Sequence, residues 1–167
     1  MNPNPADRKE HALPLQTTGP GSNLIYGKKI PVYRFYNPEN QDYFLTTDHK
    51  GEKCVENGYL YQGIAFYTLK HPIVGSVPLV RLHIRVNTNH AHSYAWEKEE
   101  IDELQIKHKM IYQGNLGFIF PKEAPGLVCL QRCYTKNFHR LITIDLESED
   151  MIKHSYEKVF GYAFNSP

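Results

Sequence analysis

The chain has 167 residues, a length that suits one domain with a core of its own. Its formal net charge is +1, and its Lys and Arg are scattered, which argues against a nucleic-acid or anionic-membrane partner. No apolar run approaches the length of a membrane span. With 41% hydrophobic residues, 12 Tyr and 8 Phe, the composition favours packed β-structure with polar tips at a surface.

Residues 1–29 are rich in Asn, Pro, Gly, Thr and Lys, and read as a flexible N-terminal tail ahead of a single domain over 30–167. The tail lacks a leader-like apolar segment, so a cytoplasmic or leaderless-secreted protein is expected. The first strand is Val32 to Tyr36, followed by a turn at Asn37-Pro38-Glu39-Asn40 and a returning strand from Asp42 to Thr47. Asp48 can cap a short helix through Cys54 and Val55 that ends at Gly58, and Tyr59 to Leu69 is extended again. The pattern recurs with strands at Leu79–Val86 and Ala91–Trp96 and a turn at Asn87-Thr88-Asn89. A helix from Glu97 to about His108 and a closing segment from Met110 to Phe120 complete it. A third round has Leu127–Cys133, a turn over Tyr134-Thr135-Lys136-Asn137, and His139–Asp145. A helix capped by Ser148 and carrying Met151, Ile152 and Tyr156 then leads to Val159–Phe164.

These rounds echo one another in residues as well as in elements. Pro31-Val32-Tyr33-Arg34-Phe35, Pro78-Leu79-Val80-Arg81-Leu82 and Gly126-Leu127-Val128-Cys129-Leu130 recur at nearly equal spacing. In this alignment Cys129 stands where the first two units have Arg. The closing segments Gly63-Ile64-Ala65-Phe66, Gly117-Phe118-Ile119-Phe120 and Gly161-Tyr162-Ala163-Phe164 echo in the same way. One supersecondary unit cannot bury its own apolar face, whereas three can close around an axis. The expected fold is therefore mainly β with short helices: three strand-turn-strand-helix-strand repeats, over about 31–69, 78–122 and 125–164, in a closed pseudo-threefold, β-trefoil-like domain. Each unit offers three strands, where a trefoil has four.

The first unit, Val32 to Asn37, then Asp42-Tyr43-Phe44-Leu45-Thr46-Thr47, then Tyr61-Gln62-Gly63-Ile64-Ala65-Phe66-Tyr67, resembles a tandem three-fold repeat family of unknown function. Its units run Val-Tyr-Arg-Leu-Tyr-Asn, Asp-His-Phe-Tyr-Thr-Thr and Gly-x-Ala-Phe. Such repeats are found appended to bacterial and fungal secreted hydrolases, so the resemblance implies an accessory binding role and carries no assigned activity.

The polar residues of the hairpins supply candidate chemistry. Arg34, Tyr36, Asp42 and Tyr43 in the first unit, and Arg81, His83, His92 and Tyr94 in the second, suit recognition of a hydroxyl-rich ligand. A guanidinium gives bidentate bonds and an aromatic ring stacks. The plainer alternative is that Arg34 and Arg81 tie strand ends to carbonyls of a neighbouring unit. His83, His90 and His92 are weak metal candidates, since residues two apart share a strand face and no thiol or carboxylate cluster accompanies them. Glu97, Glu99, Glu100 and Glu103 read as a solvated helix face. Cys54, Cys129 and Cys133 read as free thiols.

No nucleophile elbow, phosphate loop, dinucleotide fingerprint or zinc-protease helix is present. The leading expectation is a non-enzymatic, lectin-like carbohydrate-binding module that needs no cofactor or metal. It would bind a glycan or glycoconjugate, without nucleic acid or membrane insertion, and could gain avidity as a homo-oligomer. The alternative is an intracellular protein-interaction or self-assembling domain; an enzyme using His92, His139 or Asp42 ranks third. Deleting residues 1–22 is expected to leave the melting temperature nearly unchanged, because they hold too little apolar surface to offset ordering entropy. A loss of several degrees would show that the tail docks.

Overall fold

A computed structural model describes residues 26–135, 140–149 and 154–167. The chain is mainly β, 56% strand with few short helices, and its larger sheet is curled like half a barrel. Nine strands are described. β1 (Lys29–Asn37), β2 (Asp42–Thr46) and β3 (Leu60–Leu69) come first, then β4 (Val77–Val86), β5 (Asn89–Ala95) and β6 (Ile111–Ile119). β7 (Val128–Thr135), β8 (Arg140–Thr143) and β9 (His154–Ala163) complete the set. A 3-10 helix over Gly51–Asn57 lies between β2 and β3, and α1 (Lys98–Ile106) lies between β5 and β6.

The strand orders are β2-β1-β3-β6-β4-β5 in one sheet and β8-β7-β9 in the other. Each set of three consecutive strands therefore places its first strand in the middle and pairs it antiparallel with the other two. Contacts between sets run through the closing strands. Leu69 pairs with Phe118, Phe120 with Tyr162, and Phe164 with Tyr67. The core beneath takes residues from all three sets, among them Val32, Leu45, Leu79, Tyr94, Leu130, Ile142 and Phe160.

Local chemistry explains the turns. Asn37 Oδ1 accepts bonds from the backbone N–H groups of Glu39 and Asn40, an Asx turn that brings Asp42 back opposite Asn37. Asn87, at φ 58, closes the two-residue hairpin between Val86 and Asn89. Asp48 takes the N–H groups of Lys50 and Glu52, and Gly58, at φ 82, returns its N–H to Cys54 and Val55. The first helix is irregular, because Gly51, Glu52 and Lys53 are all left-handed, at φ 71, 51 and 66.

Several expectations need correction. The tail does not extend to residue 29. Tyr26 packs edge-on to Phe120 and Phe164, its hydroxyl donates to the Pro125 carbonyl, and Lys29 already pairs with Leu69. Tyr156 belongs to a strand and not to a helix, since it pairs with Cys133 within β9. The expected helix residues Met151 and Ile152, the turn residues Lys136 and Asn137, the candidate His139 and tail residues 1–25 lie outside the described residues. The closing glycines are also out of step. Gly63 and Gly114 hold the same place opposite Arg34 and Arg81, whereas Gly117 sits further along, beside the contact of β3 with β6.

Gly117 has φ +98, and a Cβ there would overlap Thr68 Oγ1 and lie 2.7 Å from the Leu69 carbonyl oxygen. Thr68 cannot swing away cheaply, because its hydroxyl donates to the Leu116 carbonyl. Gly63 is also left-handed, at φ +106, but nothing lies within 4 Å of its Cβ position. Gly117→Ala is therefore expected to cost more than about 3 kcal/mol, and Gly63→Ala only the backbone strain of about 1–2 kcal/mol. Urea denaturation of the two variants checks this; equal losses would contradict it.

Candidate functional site

Three arginines dominate the polar interior, and only two of them were expected. Arg34, Arg81 and Arg132 each lie on a middle strand between two register shifts. Arg132, and not Cys129, is thus the third arginine of the series; Cys129 lies three residues earlier and pairs with Tyr162. The alignment of openings misplaced it because the bend of β7 comes later relative to its apolar start.

Each arginine reaches an acid carried by the connection of a different strand set. Arg34 Nη1 donates to Glu149 Oε1 at 2.5 Å. Arg81 grips Glu52 with Nη1 and Nη2, at 3.0 and 2.8 Å, and also donates to the Leu45 carbonyl. Arg132 Nη1 donates to Glu100 and to the Tyr94 carbonyl, while its Nε and Nη2 hold Glu157 at 2.6 and 2.8 Å. Arg81 lies 4.3 Å over Phe44, and Arg132 5.3 Å over Phe160. Glu100, read from sequence as part of a solvated face, instead turns inward to Arg132 and Arg140. Lys98–Asp102 and Glu103–Lys107 are the exposed pairs of that helix.

The acids share a local device that the sequence carries but that was not read there. Thr46 and Thr143 donate to Glu52 and Glu149, and each threonine hydroxyl also accepts the N–H of the aspartate two residues on. Those aspartates, Asp48 and Asp145, bind the turn N–H groups that follow. The signal is Thr-x-Asp followed four residues later by Glu. The Arg81 hydrogen bond holds the Glu52 carboxyl below the usual carboxylate range.

Beside Arg81 lies an open cavity of about 220 Å³. It is lined by Glu52, Cys54 and Asn57 from the 3-10 helix, Arg81 and His83 from β4, His90 and His92 from β5, Gln113 from β6, and by Phe44 and Tyr59. Gln113 Oε1 accepts from Arg81 Nε at 2.9 Å, so its amide NH₂ remains a donor group. Buried Asp42 accepts bonds from the His92 backbone N–H, the His92 ring at Nδ1 and the Tyr59 hydroxyl, the last two at 2.5 Å. Burial, then the Asp42 charge, pushes the Tyr59 hydroxyl up, which keeps it protonated as a donor. Burial pushes the Cys54 thiol up to about 11, so it is no thiolate nucleophile.

His83, His90 and His92 do come together, with His83 Nε2 2.8 Å from His90 Nδ1 and the rings of His83 and His92 4.8 Å apart. Among the described residues no group of three or more His, Cys, Asp or Glu has a metal-holding arrangement. Arg81, His83 and His92 line the cavity; the other expected residues do not gather there. Arg34 lines a second cavity, Tyr36 packs on Tyr43 with ring centroids 4.6 Å apart, and Tyr43 and Asp42 are buried. Tyr94 is fully buried, its hydroxyl accepting from Leu45 N–H and donating to the Tyr43 carbonyl.

The sequence profile of one family, described as "Domain of unknown function (DUF5648)", matches residues 16–120. The chain belongs to this family. The DUF5648 match ends at Phe120, just after β6, so it spans the first two strand sets and the cavity between them. No curated protein and no solved structure matches the chain. No helix among the described residues is long and apolar enough to cross a membrane.

Two outcomes follow from this geometry. Arg132→Ala strips Glu157 of its guanidinium, leaves Glu100 with Arg140 alone, and is expected to cost about 3–5 kcal/mol, the range for breaking a buried ion pair. Cys129→Ala should cost about 1 kcal/mol. Denaturant titration of both variants checks the contrast, and equal losses would restore Cys129 to the series.

Burial, reinforced by His92 and His90, lowers the His83 pKa from 6.5 to about 4, so the unfolded chain binds the proton more readily. Stability should therefore be unaffected by His83 above pH 6.5 and decline as pH falls from there toward 4. Urea midpoints for wild type and His83→Asn should converge across that window; parallel curves would contradict the assignment.

Proposed function

We propose that this domain is a non-enzymatic carbohydrate-binding module whose ligand site is the cavity beside Arg81. The observation that carries the reading is the mixed lining of that cavity. Neutral donors and acceptors (Gln113 NH₂, Asn57 and the His83 and His90 rings) share the lining with aromatic Phe44 and Tyr59, while its Arg81 and Glu52 are paired with each other. Hydroxyl groups both donate and accept, so a polyol matches such a lining better than an ion does. At about 220 Å³ the cavity falls below the range typical of drug-sized ligands, which suits one sugar ring. Recognition is assigned to the histidines, Asn57 and Gln113, while Arg34 and Arg81 hold the walls in place. A single site of this size is weak, so useful affinity comes from more than one site or from oligomerisation.

The architecture belongs to the same proposal. Three divergent copies of one unit are arranged around a pseudo-threefold axis, and an arginine of each grips an acid of another. The supporting observations are the shared strand order, the three pairwise contacts of the closing strands, and the cyclic order of Arg81–Glu52, Arg132–Glu100 and Arg34–Glu149. Three strands per unit among the described residues leave the trefoil comparison one strand short.

A protein-interaction or self-assembling role is favoured by a different feature. Leu60, Tyr61, Ile111, Tyr112, Tyr156 and Val159 are all largely exposed on the outer parts of the closing strands. A glycan array separates the two readings. Binding of a defined set of sugars by wild type, lost in His83→Ala and Asn57→Ala with the melting temperature kept, is the expected result. A blank array from a folded protein that self-associates in sedimentation would overturn it.

A further inference from the structure

We infer that the chain carries a second ligand site of the same class, at the junction where Arg34 meets Glu149. The inference rests on the reading of the first cavity as a sugar site, and it adds a site where no function has been assigned.

The two places are built alike. A cavity of about 160 Å³ opens beside Arg34, with Glu149 and Gln62 both in its lining. Gln62 precedes Gly63, which pairs with Arg34; Gln113 precedes Gly114, which pairs with Arg81. Each cavity thus combines an arginine–glutamate pair with a glutamine from the adjoining closing strand. Ser148 and Thr143 also line the second cavity, their hydroxyls donating to the Asp145 carbonyl and to Glu149, where the first cavity has imidazoles. The charged groups of this lining are engaged within the protein, Arg34 Nη1 with Glu149 at 2.5 Å and Asp145 with the backbone N–H groups of Glu147 and Ser148, which leaves the Gln62 amide as the uncharged group on offer.

The third junction is made differently. Where the other two have glutamine, β9 presents Glu157 ahead of Lys158, the residue that pairs with Arg132. Glu157 takes both Nε and Nη2 of Arg132, while Glu100 takes Nη1. A carboxylate in this role has no amide donor to show a ligand. Glutamine is thus the residue that distinguishes a site from a purely structural junction, and the chain should bind two sugars and not three.

The third junction also suggests the substitution for the test. Gln62→Glu and Gln113→Glu each copy Glu157, remove the NH₂ donor and keep the shape; Gln62→Ala and Gln113→Ala serve where the added charge unsettles the fold. Backbone amide spectra of the ¹⁵N-labelled full chain would be recorded while titrating glucose, galactose, mannose and N-acetylglucosamine. Two sets of perturbations are expected, one around Asn57, His83 and His90 and one around Ile64 and Ser148. Replacement of Gln113 should weaken the first set at least tenfold and spare the second, and replacement of Gln62 should do the reverse. Perturbation at the first set alone, indifferent to Gln62, would overturn the second site and leave the first standing. No response at either place to any of the four sugars would overturn both.

Discussion

The arginine–glutamate contact between strand sets is the constraint on which the rest of this structure depends. A three-stranded antiparallel set has one apolar face to bury, and that face must be docked in a fixed orientation on its neighbours. Apolar packing supplies the driving force but has little directional preference. A guanidinium has a rigid fork of five donors, and Arg81 spends its fork on Glu52, the Leu45 carbonyl and Gln113 at once. Bonds of that geometry can be made in only one docking pose. Arg81 is buried but Glu52 is 44% exposed, and a pair that opens to solvent on one side contributes modest net stability, so its role here is to select one arrangement of the sets.

The same contact shapes the site. Glu52 reaches Arg81 from a turn in which Gly51, Glu52 and Lys53 are left-handed, a conformation that costs on the order of 1–2 kcal/mol for each non-glycine residue. The bonds from Arg81 and Thr46 hold that turn, and the turn in turn places Cys54 and Asn57 on the cavity wall. Opposite it, Asp42 fixes the imidazole of His92 and the hydroxyl of Tyr59 from a buried position. Function and folding thus draw on the same residues at different depths. Arg81 is buried and matched to Glu52, and both share the cavity lining with the amides of Asn57 and Gln113.

Much of the fold was legible in the sequence. Asn37, Asn87 and Gly58 marked the turns through backbone preferences that are local and strong, and alternating apolar residues marked most of the strands. What went wrong was register. The bend in β7 allowed Cys129 to pass for an arginine position, and Arg132 was overlooked because its partners, Glu100 and Glu157, lie far away in sequence. Glu100 was read as solvated because helical spacing says nothing of what lies across from a helix. The arginines could be read either as ligand contacts or as structural ties for the same reason. Their spacing is visible in one dimension, whereas the acids that occupy them are brought in only by the fold. Gln62 and Gln113, which matter most to the proposed sites, carried no signal beyond their place before a glycine.

A double-mutant cycle on Arg81→Met and Glu52→Gln tests the central claim most directly, because it isolates the contact between two strand sets from the packing around each. If the pair fixes the docking, the coupling energy should exceed about 1 kcal/mol, the two single losses summing to more than the loss in the double variant. Losses that add within about 0.5 kcal/mol would show that packing alone holds the sets together, and the account of the interlock would be wrong.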